Sequence, residues 1–283
     1  MTTFLDYAAR GANAWWRYAL GLALTFVFAI GLGAVVTAGL MAARALPDDI
    51  AERMLDPGRP IAFFLATGVM FGVVAVALLA AVRLAHGKRF GDLVGAWSWR
   101  AWLRGAGIWA VVLVLAALLD FAIAPSGFSV SADARTPMLV AVALPALMVQ
   151  TFAEELLFRG YLTQGLLLAT RRLAPTALVS GLIFGAVHIP NGAPHAASAT
   201  VFGVVLAVIA IRTGGVAFTS GLHLANNLFA AVVLVSSGDT FASTPGLFTQ
   251  ATPHLMWWDA AVGAVGLVVV AVFFSGPRAS SGR

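Results

Sequence analysis

The chain has no cysteine, which excludes disulfides, thiol nucleophiles, Cys-ligated zinc and a lipidated N-terminal Cys. Charge is scarce: 10% of the 283 residues are Asp, Glu, Lys or Arg, and Lys88 is the one lysine. There is no His-Glu-x-x-His motif, no Ser or Thr in an obvious motif with a base, no internal repeat and no linker long enough to separate domains. One membrane domain over 1–283 is expected. What is abundant is apolar: 60% of the residues are hydrophobic and come in long blocks. A helix of about 20 apolar residues crosses a hydrocarbon core of roughly 30 Å.

Such blocks lie near 17–43, 61–85, 105–124, 137–168, 174–190, 196–212, 216–236 and 256–275, predicting an all-α polytopic bundle of about eight transmembrane helices. The fourth is too long for one straight crossing and contains Pro145, so it is expected to kink or to project beyond the bilayer. The first follows Arg10 and Arg17 and has no obvious cleavage site, so it reads as a retained span; 276–283 reads as a disordered tail.

Cytoplasmic flanks carry the excess of Lys and Arg. With the N-terminus inside, twelve basic residues fall on the cytoplasmic side: Arg10, Arg17, Arg83, Lys88, Arg89, Arg100, Arg104, Arg171, Arg172, Arg212, Arg278 and Arg283. Only Arg44, Arg53, Arg59 and Arg135 go outside, Arg159 stays within the membrane, and both termini are cytoplasmic. This sidedness accounts for the net charge of +5 and leaves no basic cluster with stacking aromatics for a nucleic acid. The segment 86–104, which mixes Trp97, Trp99 and Trp102 with Lys and Arg, predicts a helix along the cytoplasmic interface.

Against this background stands Ala153-Glu154-Glu155-Leu156-Leu157-Phe158-Arg159-Gly160. Each ionisable group at the centre of a membrane helix costs on the order of 3 kcal/mol, so three together must pair, face water or do chemistry. Glu155 and Arg159 are four apart and share a helix face, while Glu154 is turned about 100° away. His188 lies near the far end of the fifth span, and His223, Asn226 and Asn227 lie in the seventh. His86, His195 and His254 fall in loops or at helix ends, and Asp120 and Asp259 at span edges, where solvation is expected. At about 1.5 Å per residue, Glu154 before the Arg171/Arg172 turn and His188 after it reach similar depth. The same count from Arg212 sets Asn227 nearer Glu154 than His223, with Asn226 pointing aside.

On spacing alone, these residues suit an ionic clamp or polar packing between helices, or an ion or proton pathway in a transporter or channel. A non-catalytic scaffold is a further alternative. They also suit a site where a carboxylate takes a proton from water, an imidazole assists, and donors hold an oxyanion. The substrate would be a membrane-associated peptide or protein.

Glu154-Glu155-x-x-x-Arg159, Phe184-x-x-x-His188 and His223-x-x-x-Asn227, in that order on successive predicted helices, resemble the CAAX protease and bacteriocin-processing family of intramembrane endopeptidases, which includes the CAAX prenyl protease type 2 proteins. The resemblance covers roughly 138–236. It implies an eight-helix membrane enzyme in which Glu154 is the general base, His188 its partner, and His223 and Asn227 the oxyanion-stabilising pair. Glu155 and Arg159 would orient the site, and Phe184 would shape its wall.

Zinc is left open by the resemblance, with Glu154, His188 and His223 as its ligands. A metal-free site is favoured, because a His223 that donates to an oxyanion could not easily also ligate a metal. The Ala-, Gly-, Val- and Arg-rich composition is that of a high-GC bacterial genome, so the expected location is a bacterial cell membrane.

Overall fold

Backbone polar groups within a hydrocarbon layer must be satisfied inside their own segment, and long Ala-, Leu- and Val-rich runs meet that demand as helices. The computed structural model describes residues 3–43, 59–237, 241, 244, 246–251 and 256–273. Arg44, Arg53, His254 and the tail 276–283 lie outside the described residues. A short α1 (Phe4–Ala8) precedes α2 (Trp15–Ala42), α3 (Pro60–His86), a five-residue α4 (Phe90–Val94) and α5 (Trp99–Ile123). Then come α6 (Thr136–Glu155), a π-helical stretch Leu156–Thr163, α7 (Gln164–Thr170), α8 (Leu173–Ala186) and α9 (Ala193–Thr213). The chain continues with α10 (Ala217–Leu228), a second π-helical stretch Phe229–Val233 and α11 (Met256–Phe273).

Helices α2, α3, α5, the continuous Thr136–Thr170 and α9 are long and apolar enough to cross a membrane. Leu173–Ala186, Ala217–Val233 and Trp257–Phe273 are shorter apolar helices. The architecture is the expected all-α bundle of an integral membrane protein. Its outer faces are apolar, as on α5, where Val111, Val114, Leu115 and Leu118 are exposed. α2 packs on α3, α3 on α6, α6 on α10 and α10 on α5, while α8, α9 and α11 close the other side. The α5/α10 seam is backbone on backbone: a Cβ at Gly105 would meet Phe218 O at 2.1 Å, and one at Gly221 would meet Trp102 O at 2.0 Å.

Four features depart from expectation. The fourth span runs helically through Pro145, and its departure from α geometry comes later, over Leu156–Thr163. Segment 86–104 is not one interfacial helix: α4 spans only Phe90–Val94, Gly95 bridges to Gly215, and α5 begins at Trp99. Ser98 caps α5, its Oγ accepting from Ala101 N–H at 3.4 Å, which starts that span six residues early. Three short strands form a sheet ordered β1 (Phe128–Val130), β3 (Phe248–Gln250), β2 (Leu234–Ser236), antiparallel then parallel. Strands of three residues leave no legible alternation in a sequence.

His86, expected to be solvated, is buried. Its Nδ1 lies 2.7 Å from Ala12 O and its Nε2 2.9 Å from Tyr161 Oη. The neighbouring loop is equally committed: Lys88 Nζ donates to Ala8 O at 2.8 Å, Arg10 Nη1 to Asp92 Oδ1 at 2.8 Å, and Gln164 Nε2 to Asp92 O at 2.7 Å. Burial would raise the Asp92 carboxyl, but Arg10 and the Arg89 N–H hold it below its ordinary value. Burial pushes the Lys88 ammonium down to about 8.

Candidate active site

On α6, Gln150 and Glu154 are one turn apart, and Gln150 Nε2 donates to Glu154 Oε1 at 2.6 Å. Glu155, one position round, is wholly buried with Arg159, and their Oε1 and Nη1 atoms lie 2.9 Å apart. The guanidinium also sits over the Phe184 ring, 4.5 Å from its centroid. Such a contact is worth about 2 kcal/mol when desolvated. Phe184 therefore receives a cation as well as shaping a wall. Paired on one side and stacked on the other, Arg159 becomes tolerable in the bundle interior.

The backbone is π-helical just beyond Glu154-Glu155 and again just beyond Asn226-Asn227. Such bulges frequently mark functional sites. From α10, His223 Nδ1 meets Glu155 Oε1 at 3.0 Å, and its Nε2 lies 3.6 Å from Glu154 Oε2. An ionised carboxylate only accepts, so Nδ1 carries a proton toward Glu155, and Nε2 is the nitrogen presented to Glu154. His188 Nδ1 donates to Phe184 O at 2.7 Å, one turn back, which leaves its Nε2 as the lone-pair nitrogen.

A donor-only group sets the direction of the remaining polar chain. Trp109 Nε1 can only donate, and gives its hydrogen to Asn226 Oδ1 at 3.1 Å. Asn226 Nδ2 then donates to Asn227 Oδ1 at 3.2 Å, and Asn227 Nδ2 to Gln150 Oε1 at 2.9 Å. Gln150 passes the polarity on to Glu154 Oε1. Three carboxamides are thus oriented head to tail and end on a carboxylate oxygen. Glu154 Oε2 is left with no hydrogen-bond partner among the described residues. Each amide nitrogen keeps one N–H uncommitted.

These groups line a cavity of about 2090 Å3 that holds Gln150, Glu154, His188, His223, Asn226 and Asn227. Gln150 and Trp109 were not among the residues expected at the site. Gln150 was findable as a polar residue one turn before Glu154 in an apolar span. Trp109 was not, since a tryptophan in a membrane helix reads as an interface anchor.

Several placements correct the depth count. His223, expected farther from Glu154 than Asn227, faces it directly. His188 lines the same cavity as Glu154, with no hydrogen bond or ion pair between the two among the described residues. The count assumed an even rise, but an i→i+5 stretch lies between Glu154 and Arg171, and α10 starts only at Ala217. Asn226 lines the cavity instead of pointing aside. So does His195, half-buried with its ring 6.0 Å from that of His188 at 14°. Asp120, which is buried, and Asp259 also line it, and Oδ1 of each has no hydrogen-bond partner among the described residues. No three His, Cys, Asp or Glu side chains among the described residues converge as a metal site. Glu154, His188 and His223, as arranged, do not fit a three-ligand zinc.

Residues 136–229 match the family described as type II CAAX prenyl endopeptidase Rce1-like. The chain is 28% identical over 277 residues to a Bacillus subtilis (strain 168) protein described as uncharacterized protein YyaK, covering 93% of this chain and 92% of the relative. No solved structure matches. The family match spans the three motifs that carried the resemblance and bears it out. Over the segment that supplies Gln150, Glu154, His188, His223 and Asn227, this chain is similar to the type II CAAX prenyl endopeptidases, which supports an intramembrane CAAX-type endopeptidase in general.

Proposed function

We propose that Glu154 activates water for hydrolysis of a peptide bond within or beside the membrane. The observation that carries this is the carboxylate itself: Oε1 is fixed by Gln150, while Oε2 is uncommitted, faces His223 and borders the cavity. Oε2 takes a proton from water as the oxygen attacks the peptide carbonyl. The His188 Nε2 lone pair accepts the water's second hydrogen bond and orients it. Negative charge gathers on the former carbonyl oxygen, where the free N–H of Asn227 and the Nε2–H of an imidazolium at His223 hold it. With Nδ1 committed to Glu155, His223 donates through Nε2 only as a cation, and Glu154 and Glu155 flank the charge so formed. Glu154 then returns its proton to the departing amine, so the proton taken from water ends on the new amino terminus.

Glu155, Arg159 and Phe184 orient His223 and keep it from turning. No step is routed through zinc.

A general base contributes about 10²–10⁴-fold to rate. Expression of wild type and Glu154→Gln in membranes, with comparison of the terminal peptides of candidate substrates, tests the assignment. Cleavage is expected to fall by at least about 10²-fold. Unchanged terminal peptides in the variant overturn it. Activity abolished by a strong chelator, together with stoichiometric zinc in the purified protein, overturns the metal-free course.

A further inference from the structure

We propose that the cavity opens on the non-cytoplasmic side of the membrane, so that the substrate is a peptide segment displayed on that side. The proposal rests on the hydrolytic reading of the site and adds where its substrate stands.

In the apolar helices that line the cavity, the lining residues lie away from the more basic end; Arg59 and Arg135, which precede α3 and α6, are the basic residues at the lining end among the described residues. Helix α2 contributes 26–40 and not its Arg17 end, and α3 contributes 60–74 and not its Arg83 end. From α5 come 109–120, away from Arg100 and Arg104, and from α6 come 138–154, away from Arg171 and Arg172. The α8 end at Phe184 and His188 is far from Arg172, and α9 contributes 194–202, far from Arg212. α10 contributes 223–227 and α11 contributes 259–267, both in the half remote from the basic ends of the neighbouring helices. The rim is completed by Leu234 and Ser236 of β2 and Gln250 of β3.

The basic end is closed. Phe4 and Ala8 of α1 are buried, and Lys88, Gln164, His86 and Tyr161 fill the space behind them with a hydrogen-bonded network. The wholly buried Glu155–Arg159 pair lies between that network and Glu154. A peptide arriving from the basic end would have to break these contacts before reaching the carboxylate.

Among the described residues, ten Lys and Arg lie at the closed end and two, Arg59 and Arg135, at the open end. An excess of basic residues in short loops marks the cytoplasmic face. The closed end is then cytoplasmic, and the cavity faces outward.

The cysteine-free chain allows a direct test. Ala14, before α2, and Ala132, between β1 and α6, are both exposed and lie at opposite ends of the bundle. Ala132→Cys in intact bacterial cells is expected to react with a membrane-impermeant maleimide, and Ala14→Cys only after permeabilisation. The reverse pattern overturns the proposal. Both variants are also labelled in a Glu154→Gln background, so the readout does not depend on hydrolysis. Two single-span reporters then carry the same juxtamembrane peptide outside or inside, and only the outward one is expected to be cut. Cleavage of the inward reporter overturns outward access. Labelling as expected with neither reporter cut sustains the sidedness and overturns the hydrolytic reading.

Discussion

Gln150→Leu removes the donor that holds Glu154 Oε1 at 2.6 Å and takes from Asn227 Nδ2 its acceptor at 2.9 Å, while keeping most of the side-chain volume on α6. A hydrogen bond to a charged group is worth about 1.5–3 kcal/mol, which corresponds to about 10- to 150-fold in rate if it is realised in the transition state. The loss belongs in kcat, because Gln150 positions the base and one oxyanion donor. Gln150→Glu keeps the acceptor for Asn227 but sets a carboxylate against Glu154, so its loss is expected to be larger. Trp109→Phe removes the first donor of the chain and lets the Asn226 amide turn over. If the relay acts as a unit, Trp109→Phe and Gln150→Leu couple by about 0.5–3 kcal/mol in a double-mutant cycle. The assay is kcat and KM on a peptide cut once, in reconstituted vesicles, with the rate of Glu154→Gln subtracted. Gln150→Leu holding kcat within about threefold, or strictly additive effects in the cycle, would refute the relay.

Two further predictions concern the scaffold. The Lys88 ammonium is held at about 8 against an ordinary 10.5, so between these values the unfolded chain binds more protons than the folded one, and stability climbs as pH rises through that window. Thermal unfolding across the window should show this rise in wild type and lack it in Lys88→Met; an equal rise in both rules out Lys88 as its source. Gly221→Ala places a methyl 2.0 Å from Trp102 O, forcing α5 and α10 apart. Overpacking of this kind costs about 1–3 kcal/mol, and because α10 carries His223 the variant should lose activity as well as unfold earlier. Full activity at a lowered unfolding midpoint would detach the seam from the site.

The fold was legible wherever hydrophobic length decides it. Blocks at 17–43, 61–85 and 196–212 became α2, α3 and α9 with ends displaced by at most three residues. The pairing of Glu155 with Arg159 followed from i, i+4 spacing and survives in the structure. What could not be read depends on contacts between helices. The two π-helical stretches have no residue signature, and the first, between Glu154 and Arg171, shifts the depth of Glu154, which is why His223 was misplaced relative to it. His86 looked like a solvated loop or helix-end residue and Lys88 like part of an interfacial helix, because nothing in their neighbourhood announces that α1 folds back over them. The amide relay is set by Trp109, 117 residues from Asn226 in the chain, and no local pattern ties an indole to an amide at that separation.

The adjacent glutamates give the sharpest separation of chemistry from architecture. Glu155→Gln leaves Arg159 fully buried without its counter-charge, and breaking one partner of a buried pair costs about 3–5 kcal/mol, a large part of a typical stability of about 5–15 kcal/mol. Glu154→Gln keeps an oxygen for Gln150 and removes no partner of Arg159 within 4.0 Å. Its unfolding midpoint should therefore stay near that of wild type while hydrolysis disappears. Glu155→Gln should unfold early, yet in the fraction that remains folded it keeps a side-chain oxygen for His223 Nδ1 and an intact Glu154, so cleavage per folded molecule should fall less than in Glu154→Gln. Measuring unfolding by intrinsic tryptophan fluorescence and turnover on the same vesicle preparations resolves the two effects. If both variants lose turnover equally per folded molecule at equal stability, the glutamates form one catalytic dyad, and the division into a base and a structural partner fails.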